Sequence, residues 1–116
     1  MSTISLNVLE RFSLIQIVND PSFFFPTKQI SFEAAEFAKK LFLTEDEKVA
    51  IDYAVSPDAR ELFNAKKCEE LVVEIEVSKE LAASLSEGIE KKFEGKWTVA
   101  AGATFSPILE KLSEIK

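Results

Sequence analysis

Histidine is absent from this sequence, and cysteine occurs once. These two facts exclude an intrachain disulfide, every triad built on imidazole, and zinc sites that combine His with Cys. Glycine is almost as scarce, with three in 116 residues. Gly88, Gly95 and Gly102 lack the neighbouring lysine and Ser/Thr of a phosphate-cradling loop, and no dinucleotide fingerprint is present. No apolar run reaches the ~18 residues of a membrane-spanning helix. Met1 to Ser5 show no positive region or cleavage site of a secretory leader, and the first basic residue is Arg11. A cytoplasmic protein is expected. Positive charge is also in the minority: 14 Lys and Arg stand against 20 Asp and Glu, a net charge of −6. The pairs Lys39-Lys40, Lys66-Lys67 and Lys91-Lys92 are flanked by acids, so nucleic acid is not an expected partner. An acidic surface instead suits a basic protein patch.

Apolar residues make up 47% of the chain, enough for one core and one domain over residues 1–116. Leu6 to Val18 reads as the first helix. Asn7 and Glu10 have the spacing of a capping box, in which each side chain satisfies the other's backbone N–H. Apolar residues surround this helix, Leu9 and Phe12 among them, so it lies inside a core or against another chain. Asn19-Asp20-Pro21-Ser22 ends it. Phe23, Phe24 and Phe25 follow. Three successive rings cannot share one face, so some plug the core and one is left outside.

A second helix is expected from a Thr27 cap to about Phe42, with Ile30, Ala34, Phe37 and Leu41 inward. Thr44 and Glu47 form a second capping box, opening a short turn whose acids suit the positive end of its dipole. Val49, Ile51, Tyr53 and Val55 alternate with smaller or polar residues, the spacing of a strand. Ser56-Pro57-Asp58 reads as the start of a short helix over 59–63, or as a mobile connection. Leu71, Val73, Ile75 and Val77 alternate with Val72, Glu74 and Glu76 in the clearest strand of the chain. The expected ribbon pairs 49–55 with 71–77, antiparallel. Ser78 caps a helix over Lys79–Glu94, with Leu81, Leu85, Ile89 and Phe93 inward and Gly95 as its left-handed stop. Gly88 inside that helix costs about 1 kcal/mol against alanine. Ser106-Pro107 reads as the opening of a last helix carrying Ile108, Leu109, Leu112 and Ile115. No internal repeat is visible. The fold class is α+β, about four helices on a two-stranded antiparallel ribbon.

Chemistry is thin. Cys68 stands beside Lys66 and Lys67, which lower a thiol's pKa if it is exposed; otherwise it is an inert reduced thiol. No catalytic residue, metal ligand or cofactor site is assigned. Glu74 and Glu76 on one strand face read as a solvated surface before they read as an acid–base pair. The residues assigned to a protein interface are Phe23, Phe24, Phe25, Leu9, Phe12 and Trp97. The order of features, Leu6-Asn7 with Glu10-Arg11, a phenylalanine loop, Leu43-Thr44-Glu45-Asp46-Glu47, and Glu74-Ile75-Glu76-Val77 before a helix, resembles small bacteriophage and prophage proteins. That resemblance implies a phage accessory protein in a host cytoplasm. The expected function is a non-enzymatic protein-interaction module that forms a homodimer or binds a host protein. The alternatives are a ligand binder or carboxylate enzyme around Tyr53 and Trp97, and an acidic inhibitor of a host nucleic-acid enzyme.

Overall fold

Strand β1 (Ser2–Asn7) carries Ile4 and Leu6 inward and Thr3 outward. A computed structural model describes residues 2–115. Asn7 ends the strand and caps α1 (Val8–Val18), with the capping box to Glu10 formed in both directions. Helix α2 (Lys28–Leu41) starts at Thr27 as expected. Helix α3 (Glu45–Ala50) follows the Thr44–Glu47 capping box. Two short strands, β2 (Ala54–Val55) and β3 (Glu61–Leu62), make a small hairpin. Then come α4 (Ala65–Glu70), β4 (Val72–Val77), α5 (Lys79–Phe93) and α6 (Val99–Ser113).

The α+β class holds, with six helices among the described residues rather than about four. Of the strand expected over 49–55 only Ala54–Val55 is extended, as β2, and the rest is corrected. Its alternating residues lie just after a capping box and three acids, and these nucleate a helix through Ala50 instead. Ile51 ends that helix and is fully buried, and Asp52 turns the chain with a positive φ of 58°. The partner of β4 is therefore β1, antiparallel, with Ile4 opposite Ile75. Nor does Ser56-Pro57-Asp58 start a helix. It forms the hairpin turn, closed by the Ser56 N–H donating to the Arg60 carbonyl, with Ala59 at φ 64°. Asn64 opens α4 instead of ending a helix. The last helix begins eight residues before Pro107, on a Thr98 cap, so the proline lies in its interior.

The absence of a repeat is also corrected. β1 leads into α1 and α2, and β4 leads into α5 and α6. α1 packs on α2 as α5 packs on α6; α2 reaches β4 as α6 reaches β1; α1 meets α6 as α2 meets α5. The match extends to residues. One interval of 71 positions relates the caps Asn7 and Ser78, and Thr27 and Thr98. The same interval relates buried Leu14 to Leu85, Ala34 to Phe105, Phe37 to Ile108 and Leu41 to Leu112. It also relates Ile4 to Ile75, so an approximate twofold axis passes through that cross-strand pair. The molecule is two β-α-α units sharing one ladder and one core, and α3, β2, β3 and α4 are inserted between them. The shared core takes the inner face of both strands and the stripes of α1, α2, α5 and α6.

The insert has its own small cluster, Val8, Ile51 and Cys68. It is tied to the first unit by Arg11, only 2% exposed. The Arg11 guanidinium donates to the Leu41 and Phe42 carbonyls, at the end of α2, and to both carboxylate oxygens of Glu47, at 2.7 and 3.1 Å. It satisfies carbonyls that a helix end leaves without partners while holding the first turn of α3.

Candidate interaction surfaces

The twofold arrangement produces two grooves at equivalent places. In each, the first turn of one unit's leading helix faces the second helix of the other unit. The first groove, about 810 Å³, lies between α1 and α6. Its Asn7, Glu10, Ala103, Thr104, Pro107 and Lys111 correspond, one for one, to Ser78, Leu81, Phe32, Glu33, Glu36 and Lys40 of the second groove. That second groove, about 290 Å³, lies between α2 and the junction of β4 with α5.

The two grooves differ in the charges they carry: Glu10, Glu69 and Lys111 in the first, Glu33, Glu36, Glu76 and Lys40 in the second. Leu9, Phe12 and Pro107 line the first, and Phe12 leans on Phe63 of the insert with ring centroids 5.5 Å apart. Its Lys111 is already paired: the half-buried ammonium donates to both oxygens of Glu10, at 2.8 and 2.9 Å. Phe37, Val77 and Leu81 floor the second, with Phe32 standing 58% exposed at its lip and Glu33, Glu36 and Glu76 at its rim. The Phe32 ring already attracts an ammonium, that of Lys28, 5.5 Å from its centroid. Ser78 Oγ donates to Glu33 at 2.6 Å across this groove.

The residues expected at an interface fall in three places. Leu9 and Phe12 meet in the first groove. Phe23 and Phe25 are half-buried against the core with their rings 5.3 Å apart and tilted by 58°, while Phe24 is 84% exposed. Phe24 projects beside a hollow bordered by Asp20, Lys91, Lys92 and Lys96. There the Asp20 carboxyl lies well below its ordinary value, chiefly because the Lys92 ammonium donates to it and Ser22 adds further hydrogen bonds. Trp97 is separate from both: half its surface faces out, and its ring rests on Phe93, 5.0 Å away. Phe32 was missed in the sequence because it lies on the polar side of the α2 pattern. Its signal becomes visible only when Ala103 is seen to do the same structural work.

The other chemical expectations resolve clearly. Cys68 is fully buried, and that burial, with Glu69 nearby, pushes its pKa up instead of down. Tyr53 and Trp97 belong to different clusters and form no common site; the Tyr53 hydroxyl donates to Glu61, which raises its pKa. The Arg11 guanidinium beside Glu47 holds that carboxyl below its usual range. Among the described residues no group of His, Cys, Asp and Glu is arranged to hold a metal ion, and no helix is long and apolar enough to cross a membrane. Comparison with protein-family models, curated proteins and solved structures finds no match to the chain.

Proposed function

We propose that this chain is a protein-interaction module whose work is docking rather than turnover. The observation that carries the reading is the internal comparison of Phe32 with Ala103. Both stand at the same place in the same β-α-α frame. The frame folds with alanine there, so a large ring left mostly in water has no folding role to explain it. Exposed apolar groups at the lip of an apolar groove are the usual mark of a protein contact. The buried charged side chains support the same reading. Glu10 and Arg11 are committed to Lys111, to Glu47 and to helix-end carbonyls, which are roles in holding the frame.

The test is site-specific photo-cross-linking in the cell of origin. A photoreactive amino acid replaces Phe32 in one version and Phe12 in another, with exposed Asp46 of α3, which lines neither groove, as the control. Discrete protein adducts from a groove position, and none from Asp46, are expected. No adduct at either groove, or the same adducts from Asp46, overturns the reading.

A further inference from the structure

Resting on that docking reading, the geometry points to a second copy of this chain as the occupant of the α2–α5 groove, inserted through Phe24. The two surfaces share no residue, so one molecule offers both at once. One is a projecting aromatic ring, 84% exposed. The other is an apolar depression floored by Phe37, Val77 and Leu81.

Charge sets the pairing. Three lysines and one aspartate line the hollow beside Phe24, with Glu87, Glu90 and Glu94 on the far side of Lys91, and three glutamates and one lysine line the groove. A chain of net charge −6 repels its own copies, so a contact between copies has to join its local positive region to a local negative one. Lys91 and Lys96 have no ion-pair partner among the described residues. Among the described residues Glu36 is held by Lys39 alone, in a pair that is more than two-thirds exposed on both sides and therefore weak. The equivalent groove serves as a comparison: Thr104 and Pro107 stand where Glu33 and Glu36 stand, so the frame does not require acids at those two positions. Ring into groove is a heterologous contact, in which different patches meet.

Light scattering on the purified chain tests this, with circular dichroism to confirm that each variant folds. The average mass is expected to rise with concentration, and less so as salt is raised from about 50 mM to about 500 mM. Phe24→Ser removes the ring; Glu36→Lys with Glu76→Lys reverses the rim. Each variant alone should weaken association about tenfold or more. Mixed in equal amounts they should form a heterodimer, because one keeps the groove and the other keeps the ring. Glu74→Lys, on the same strand but outside the groove, should leave association as it was. A chain that stays monomeric at every concentration overturns the second-copy assignment, as does a mixture that fails to pair while the unaltered chain associates. If that monomer still gives foreign-protein adducts at Phe32 in the cell, only this assignment falls and the docking reading stands.

Discussion

The Phe23 ring lies directly on Gly88 of α5, where a Cβ would overlap it. Glycine in a helix interior is unfavourable by about 1 kcal/mol, and here the missing side chain is what admits the ring. The contact predicts a change of sign. Gly88→Ala alone should destabilise by about 1–2 kcal/mol net, since overpacking outweighs the gain in propensity. In a Phe23→Ala background the same substitution should stabilise by up to about 1 kcal/mol. Urea denaturation of the four proteins in this cycle checks it.

Arg11 should be among the least replaceable residues. Arg11→Met leaves the Glu47 carboxylate with only the Thr44 N–H and takes the guanidinium from the Leu41 and Phe42 carbonyls. Breaking a buried pair in this way costs about 3–5 kcal/mol. Arg11→Lys keeps the charge but loses the fork, and should recover only part of that loss. Chemical denaturation at pH 7 measures both variants.

The same pair gives a pH dependence. The Glu47 pKa is lowered in the folded protein from an ordinary 4.5. Its contribution is therefore fully present above that value and is lost as pH falls below it, through the folded-state pKa. The stability difference between the unaltered protein and Arg11→Met should narrow with falling pH. It should not close, because the Leu41 and Phe42 carbonyls accept from the guanidinium at any pH. A gap that stayed constant down to pH 3 would count against the pair.

Pro107 interrupts α6 from the inside, and has no N–H to give the Ala103 carbonyl. Its counterpart Glu36 sits in an ordinary helix, so the position itself tolerates any good helix former. Pro107→Ala should raise stability by about 1–3 kcal/mol, read as a higher thermal midpoint.

Cys68 should report on opening of the insert. Buried and with a raised pKa, it should resist alkylation at pH 8 in the folded protein and react at the free-thiol rate in denaturant. Fast alkylation under native conditions would contradict the packing of Cys68 against Val8 and Ile51.

Capping chemistry was the most legible part of the sequence. Asn7, Thr27, Thr44 and Ser78 each accept from the N–H three residues ahead, as their spacing implies. Local hydrogen bonds decide helix starts, and local sequence contains them. The inner face of β4 and the left-handed Gly95 were also readable, for the same reason. Strand pairing was not. The alternation of Ile4 and Leu6 is short and is overshadowed by the capping box that follows, while Val49 to Val55 mimics a strand but starts inside a helix. The repeat was hidden because burial asks only for apolar volume. Phe37 and Ile108, or Ala34 and Phe105, satisfy it equally well, so few identities remain beyond Ile4/Ile75, Leu14/Leu85, Thr27/Thr98 and Leu41/Leu112. The interface residues were partly legible. Phe24 had to face out once its neighbours faced in, but no local rule marks Phe32, whose significance lies in its counterpart.

Strand β1 pairs with β4, which is synthesised only after the four helices and the hairpin that separate them. Joining ends so far apart is slow, since the entropy of closing the intervening loop is spent before the ladder returns any stabilisation. A nascent chain halted before Val72 has Ile4, Leu6 and the apolar sides of α1 and α2 with no ladder and no second unit to cover them. Translation thus passes through an interval in which the first unit's apolar faces stay open, and they are covered only once β4 and the second unit have emerged.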